Sequence, residues 1–458
     1  MPRKTVTNKT NLSRRQYFGT DGIRGKVGSD LINPNFMLKL SCAIGKVLLS
    51  NSATNNKVLI GRDTRKSGHM LEAALQSGLN SAGIDVRLLG PIPTPALAYL
   101  TQSLRASAGI VISASHNPFD DNGIKLFDSN GLKLSDSIEI QIEKALSNKL
   151  TCVDLKRLGE SKPIVDAIPR YIEFCKNTFP KTLSLKGFKI VIDCANGAGF
   201  YVAPSILREL GADVIPIFDQ PDGININEAC GAMHPQALQK AVIKHQADIG
   251  IALDGDADRL ILVDHLGEVL DGDEILAILI KDYSQRFPHQ TLGVVGTVMS
   301  NLGLEELLKE LGIAFLRTPV GDRYILESLL KNYWPFGGET SGHVICFNHT
   351  RTGDAIITSL QVLAAMLFAN KPLSELKAIL NKYPQVILNV PFSINQNKLE
   401  DNKKLQQLLS DIKSKNQHKH RLVLRPSGTE PLIRIMLEGE NIQQMKSIAQ
   451  QIATCIQQ

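Results

Sequence analysis

From residue 57 to residue 330 the chain alternates short apolar runs with stretches of helical period, in three blocks of comparable size. A chain written this way is satisfied by strands that feed helices and return to the same sheet, which predicts parallel α/β units. In the first block Lys57-Val-Leu-Ile60 reads as a strand, 68–82 as a helix stopped by Gly83, and Asp85-Val-Arg-Leu-Leu89 as the next strand. The second takes strands at 189–192 and 213–217 with helices at 203–210 and 235–245. The third takes strands at 292–295 and 313–316 with helices at 302–311 and 323–330. No strict sequence repeat links the three. From about Lys371 the order changes: helices at 373–380, 399–412 and 442–456 and strands at 386–390, 421–424 and 432–437 predict a separate α+β domain.

Composition narrows the class without choosing a function. The 43% hydrophobic and 21% charged content is that of a globular chain, and 458 residues allow roughly two to four domains. A net charge of +6 is dispersed rather than striped, which argues against nucleic acid and suits a small anionic substrate. Seven scattered cysteines without a C-x-x-C pair fit reduced thiols, hence a cytoplasmic location. The longest apolar runs, 275–280 and 363–369, fall short of a bilayer span, and the basic start lacks the apolar stretch of a secretory signal. A membrane role is therefore not expected.

The chemistry concentrates in Asp254-Gly-Asp-Ala-Asp-Arg259. In extended backbone, side chains two apart share a side, so Asp254, Asp256 and Asp258 can aim oxygens at one point. Three clustered carboxylates repel, and a magnesium ion, which prefers oxygen ligands and keeps positions open for a phosphate, relieves that repulsion. A calcium EF-hand is excluded, since it needs glycine at loop position six and glutamate at twelve, where Arg259 and His265 stand. An apolar run at 247–253 places the loop at a strand's carboxyl end, where open α/β sheets hold ligands.

Four further segments are candidates. Ser115 follows an apolar strand at 108–113 and sits in Ala114-Ser-His-Asn-Pro118, whose Asn-Pro enforces a turn; the flanking residues exclude a G-x-S-x-G nucleophile elbow. Arg425-Pro-Ser-Gly-Thr-Glu-Pro-Leu-Ile-Arg434 offers the hydroxyls of Ser427 and Thr429, the pliant backbone of Gly428 and guanidiniums of Arg425 and Arg434, a set able to wrap a phosphate. Gly337-Gly-Glu-Thr-Ser-Gly-His343 sets Glu339 and Ser341 in a short loop suited to a polyol. Phe18-Gly-Thr-Asp-Gly-Ile-Arg-Gly25 departs from the dinucleotide fingerprint and offers Arg24 as a phosphate contact.

The motifs at 19–25, 113–118, 254–259, 337–343 and 425–434, in that order, resemble the α-D-phosphohexomutase superfamily over essentially the whole chain. The resemblance implies an α/β fold, with three similar α/β domains with mixed sheets plus a C-terminal α+β domain around a central cleft. The corresponding division is a tail at 1–16, then 17–160 with a phosphoserine loop, 161–255 ending at the metal loop, 256–370 with the sugar loop, and 371–458 with the phosphate loop. It further implies a phosphate carried covalently on Ser115, with one magnesium ion between that phosphate and the three aspartates. Glu339 and Ser341 would hold sugar hydroxyls, with Arg24 and His343 also on the substrate, and the Arg425 loop with Arg434 would hold the non-reacting phosphate.

A phosphoserine beside three aspartates leaves a net negative charge even with magnesium, for Arg259, Lys125 and His116 to offset. Lys125 is the first candidate for the general acid/base and His343 the second. The implied reaction moves a phosphoryl group between the 6- and 1-positions of a hexosamine phosphate through a 1,6-bisphosphate, which also serves as primer. Gly296-Thr-Val-Met-Ser-Asn-Leu-Gly303, Val320-Gly-Asp-Arg-Tyr324 and Gly428 resemble the amino-sugar branch. Mannose or glucose phosphates are the alternative substrates, and a non-catalytic phosphate- and metal-binding regulator is the alternative of another class. A monomer or homodimer is expected.

Overall fold

The computed structural model of the chain describes residues 15–19, 21–51, 56–391, 402–414, 420–426 and 432–457. In the first unit, strands β1 (Ile23–Lys26), β2 (Lys57–Arg62), β3 (Asp85–Pro91), β4 (Ala108–Ile112), β5 (Asp121–Asp128) and β6 (Ser161–Pro163) form one sheet in the order β1-β5-β4-β2-β3-β6. Helices α1 (Pro34–Asn51), α2 (Ser67–Ser81), α3 (Thr94–Ser103) and α4 (Asp136–Ala145) accompany it. The second unit holds β7 (Lys189–Asp193), β8 (Asp213–Ile217), β9 (Ile249–Leu253), β10 (Leu260–Asp264) and β11 (Val269–Leu270), ordered β11-β10-β9-β7-β8, with α5 (Ala167–Thr178), α6 (Val202–Glu209) and α7 (Gln236–His245). The third holds β12 (Gly293–Thr297), β13 (Ala314–Thr318), β14 (Phe336–Gly338) and β15 (Val344–Cys346), ordered β13-β12-β14-β15, with α8 (Gly272–Arg286), α9 (Leu302–Glu310), α10 (Asp322–Asn332), α11 (Ala355–Ala369) and α12 (Leu373–Lys377).

One motif recurs in all three sheets. Each has three parallel strands ordered second, first, third, and then a fourth strand antiparallel to the third: β3-β2-β4-β5, β8-β7-β9-β10 and β13-β12-β14-β15. The sheets are therefore mixed, as the resemblance implies, because the fourth strand returns through a loop too short for a crossover helix. The central strands β4, β9 and β12 are buried on both faces, which is why they read as unbroken apolar runs. The fourth unit differs: β16 (Gln385–Pro391), β17 (His420–Pro426) and β18 (Leu432–Gly439) form an antiparallel sheet, β16-β18-β17, with α13 (Lys403–Ser414) and α14 (Ile442–Gln457).

A single large apolar cluster joins the first three units, running from Leu59 and Phe127 through Ile190 and Leu253 to Leu276, Val294 and Leu360. Residues 272–280 of α8 and 355–366 of α11 are buried all round, so these helices carry no amphipathic stripe and were not legible as helices. No helix among the described residues is long and apolar enough to cross a membrane. The second sheet continues through β10 to Leu270, past the division expected at residue 255, because β9 and β10 are paired along their length. Leu373 and Leu380 belong to the large cluster rather than to the last unit, which places that boundary beyond the expected residue 370.

Helices α1 and α2 meet at Gly78, where a Cβ would press into Ser41 Oγ and lie 2.5 Å from the Leu38 carbonyl oxygen. Helix propensity alone would make alanine better by about 1 kcal/mol. The backbone contact should reverse the sign, so Gly78→Ala is expected to destabilise the protein by about 1–3 kcal/mol in urea unfolding.

Candidate active site

The third-to-fourth-strand loop of each repeated unit carries a candidate motif. Ser115 lies between β4 and β5, Asp254 to Arg259 between β9 and β10, and Glu339 to His343 between β14 and β15. Equivalent positions in three sheets thus deliver the three loops to one cleft. The Asp254 loop is not extended, as the sequence pattern implied; it is a turn closed by Ala257 N–H donating to the Asp254 carbonyl at 3.0 Å, with Ala257 at φ 58°. That turn still gathers one oxygen from each of Asp254, Asp256 and Asp258 within 4.8 Å, all three residues being buried.

The hydrogen bonds sort these oxygens into committed and available. Asp254 Oδ1 accepts the N–H groups of Asp258 and Arg259, each at 3.1 Å. Asp256 Oδ2 accepts from Thr94 Oγ1 at 2.5 Å and Lys125 Nζ at 2.7 Å, and Asp258 Oδ2 from Lys125 at 3.2 Å. Asp256 Oδ1 and Asp258 Oδ1 are buried with no hydrogen-bond donor. Buried acceptors without partners are costly, and two of them beside a third carboxylate form a donor set that fits a hard divalent cation.

Ser115 belongs to the same cluster. Its hydroxyl donates to Asp254 Oδ2 at 2.6 Å, and its φ of 52° puts a non-glycine residue in the left-handed region. The surroundings hold it there: its N–H donates to Ser113 Oγ at 2.9 Å, and its carbonyl accepts from Arg65 Nη2 at 3.2 Å and Asn227 Nδ2 at 2.9 Å. Both side chains also donate to the Asn117 carbonyl, so the turn is gripped on each side.

Burial and mutual repulsion set the charge states. Burial, then Asp258 and Asp256, raise the Asp254 carboxyl to about 8, while Lys125, His343 and Arg259 overcome burial and hold Asp258 well below the carboxylate range. Burial opposes the Lys125 charge, but Asp21, Asp256 and Asp258 outweigh it and keep the ammonium protonated. His343 is likewise opposed by burial and raised to about 8 by Asp258, Asp322 and Glu339; its Nδ1 is 3.7 Å from Asp258 Oδ1, and its Nε2 accepts the Gly353 N–H at 3.2 Å. That Gly353 bond uses the lone pair a proton would take, so it favours the neutral ring against the acidic neighbours. His116 does not offset charge as expected: burial, with Arg259 and Arg24, lowers it to about 4 and leaves it neutral.

A cavity of about 360 Å³ opens beside the aspartates, lined among others by Arg24, Asp258, Arg259, Gly321, Glu339 and His343. Glu339 Oε1 accepts the Gly321 N–H at 3.0 Å, and the exposed Ser341 donates to Glu339 Oε2 at 3.3 Å. Larger cavities of about 540 and 660 Å³ lie elsewhere, and neither gathers the aspartates, Ser115 or Glu339. Across β17 and β18, Arg425 is directly opposite Arg434. Like charges in that register repel, and burial together with Arg434 lowers the Arg425 pKa, with Glu339 opposing. An anion between the two guanidiniums would relieve the conflict; Ser427, Gly428 and Thr429 of the same loop lie outside the described residues.

Several participants carry no local signal. Lys133 bridges Asp21 and Asp322, and Thr94 reaches Asp256 across 162 positions, so only the fold brings these pairs together. Asp21 and Asp322 lie within segments quoted above, but nothing in their own neighbourhood marks them.

The phosphoglucomutase/phosphomannomutase family profiles match in chain order: alpha/beta/alpha domain I at 15–151, domain II at 169–267, domain III at 271–383 and the C-terminal domain at 388–454. The chain belongs to the phosphoglucomutase/phosphomannomutase family. Phosphoglucosamine mutase of Coxiella burnetii is 53% identical over 97% of this chain and 99% of its own length, and that of Pectobacterium carotovorum 52% over 97% and 99%. Among solved structures, a family protein from Burkholderia thailandensis superposes with a TM-score of 0.79 at 22% identity, covering 96% of both chains. Aspergillus fumigatus N-acetylphosphoglucosamine mutase, in complex with GlcNAc-6P and magnesium, does so with 0.66 at 18% identity, covering 97% of this chain and 96% of its own. The four-unit fold of the family is thus shared well beyond the close relatives.

The charge states predict a proton linkage. With Asp254 protonated below about pH 8, a cation must displace that proton, so affinity should rise by about tenfold per pH unit up to pH 8 and then level. Magnesium titration calorimetry in buffers of different ionisation enthalpy should show about one proton released near pH 7 and almost none near pH 9; no release near pH 7 would contradict this charge assignment.

Proposed function

We propose that the chain is a magnesium-dependent phosphoglucosamine mutase that interconverts glucosamine 6-phosphate and glucosamine 1-phosphate, with Ser115 as the phosphoryl carrier. The observation that carries the reading is Ser115 Oγ, 2.6 Å from Asp254 Oδ2, inside a group of carboxylates with two buried oxygens that receive no hydrogen bond. Relatives 52–53% identical over nearly their full length, which bear the name phosphoglucosamine mutase, support the amino-sugar substrate.

Asp254, Asp256 and Asp258, with an oxygen on Ser115, would hold the magnesium, whose contribution is to neutralise charge on the transferring phosphoryl group. The remaining work falls to the chain. Sugar 6-phosphate enters with its phosphate on the Arg425 and Arg434 guanidiniums and its ring hydroxyls on Glu339 and Ser341. The C1 hydroxyl attacks the phosphorus on Ser115; the bond from phosphorus to Oγ breaks as the bond to the sugar oxygen forms, giving the 1,6-bisphosphate. Ser115 regains its hydroxyl. The bisphosphate turns over in the cleft and returns its 6-phosphoryl group to Ser115, releasing the 1-phosphate. Two facing arginines and a hydroxyl-binding loop suit this exchange, because they grip either phosphate without reading which carbon bears it.

Lys125 is assigned the proton exchange. It sits on Asp256 and Asp258, and it gives up a proton more readily once those charges are neutralised. His343, on the cleft wall, is the second candidate. Arg24 and Arg259 line the same cavity and meet the developing negative charge.

Turnover of the 6-phosphates of glucosamine, glucose and mannose, with magnesium and a trace of bisphosphate primer, tests the reading. The expected result is the highest kcat/KM with glucosamine 6-phosphate; equal values would make the chain a broad phosphohexomutase, and no turnover would leave a non-catalytic binder. Asp256→Asn is expected to lower kcat by about 100-fold or more.

A further inference from the structure

We infer that Thr94 is a positioning residue for the cation site, turning Asp256 so that Oδ1 is left for the metal. This rests on the reading of the three aspartates as that site. Thr94 is the first residue of α3, after an N-cap position held by Pro93, and it is buried. Its hydroxyl donates to Asp256 Oδ2 at 2.5 Å and its N–H donates to the Asp256 carbonyl at 3.0 Å. Prolines at 93 and 95 fix the backbone on both sides and carry no N–H, so Thr94 supplies the N–H donor of that segment.

The consequence is an orientation. With Oδ2 held by Thr94 and by Lys125, Asp256 has one free oxygen, and it is the buried Oδ1 that lacks any donor. Lys125 cannot serve as the sole anchor if its proton moves during the reaction; the neutral threonine hydroxyl keeps its bond throughout. Thr94 and Ser115, both from the first unit, also clamp the loop of the second at two points, Asp256 and Asp254. Between them Gly255 packs so closely that a Cβ would lie 2.6 Å from the Ser115 carbonyl oxygen.

The test measures cation binding directly, with Mn²⁺ titrated into purified protein and followed by electron paramagnetic resonance. Thr94→Val removes the hydroxyl at nearly constant shape and is expected to weaken binding by about tenfold or more. Thr94→Ser should stay near wild type, and KM for the sugar phosphate should hold within about twofold in both. If valine does not pack, Thr94→Ala makes the same measurement. Wild-type affinity in the hydroxyl-free variant would overturn the inference, as would a serine variant as weak as the valine one. A wild-type protein that binds no Mn²⁺ would instead overturn the metal site itself, and the role of Thr94 with it.

Discussion

Three carboxylates that repel one another inside the protein, Asp254, Asp256 and Asp258, set the terms for everything around them. Their charge is answered from the first unit by Lys125, Thr94 and Ser115 and from the third by His343, so the loop cannot keep its shape unless three units pack together. The answer within the chain is incomplete, since two buried oxygens have no donor. That shortfall leaves a donor set that fits a divalent cation rather than a closed ion-pair network.

The repeated sheet explains how chemically different motifs reach one place. In each unit the third strand is buried, parallel to the first and antiparallel to the fourth that turns back beside it, so the connecting loop emerges at the carboxyl end of the third strand. Serine, aspartates and glutamate occupy the same structural position three times. The fourth unit has another topology, and its contribution, the facing Arg425 and Arg434, also sits at a strand connection. Glu339 acts electrostatically on both His343 near the aspartates and Arg425 of the fourth unit.

Legibility in the sequence followed the range of the forces involved. The blocks and the five motifs were readable because strand runs, helical period and turn residues are local properties of the chain. Alternate aspartates suggest an extended segment, whereas a turn with Ala257 in the left-handed region gathers their oxygens. Helices α8 and α11, buried all round, have no polar face to set a period. Thr94, Lys133 and Asp322 act through partners distant in sequence, and the neutral state of His116 follows from burial and two arginines that only the folded chain supplies. The aspartate loop reads as an ending at residue 255, whereas β10 pairs back onto β9 and keeps the loop inside the second sheet.

On the proposed function, the carboxylate cluster serves a phosphoryl group on Ser115. Intact-mass spectrometry of the purified protein after exposure to a hexosamine 1,6-bisphosphate tests it most directly. The expected result is a species heavier by one phosphoryl group in the wild type that is missing in Ser115→Ala, with peptide mapping placing the group at residue 115. Phosphate retained at the wild-type level in Ser115→Ala would contradict it.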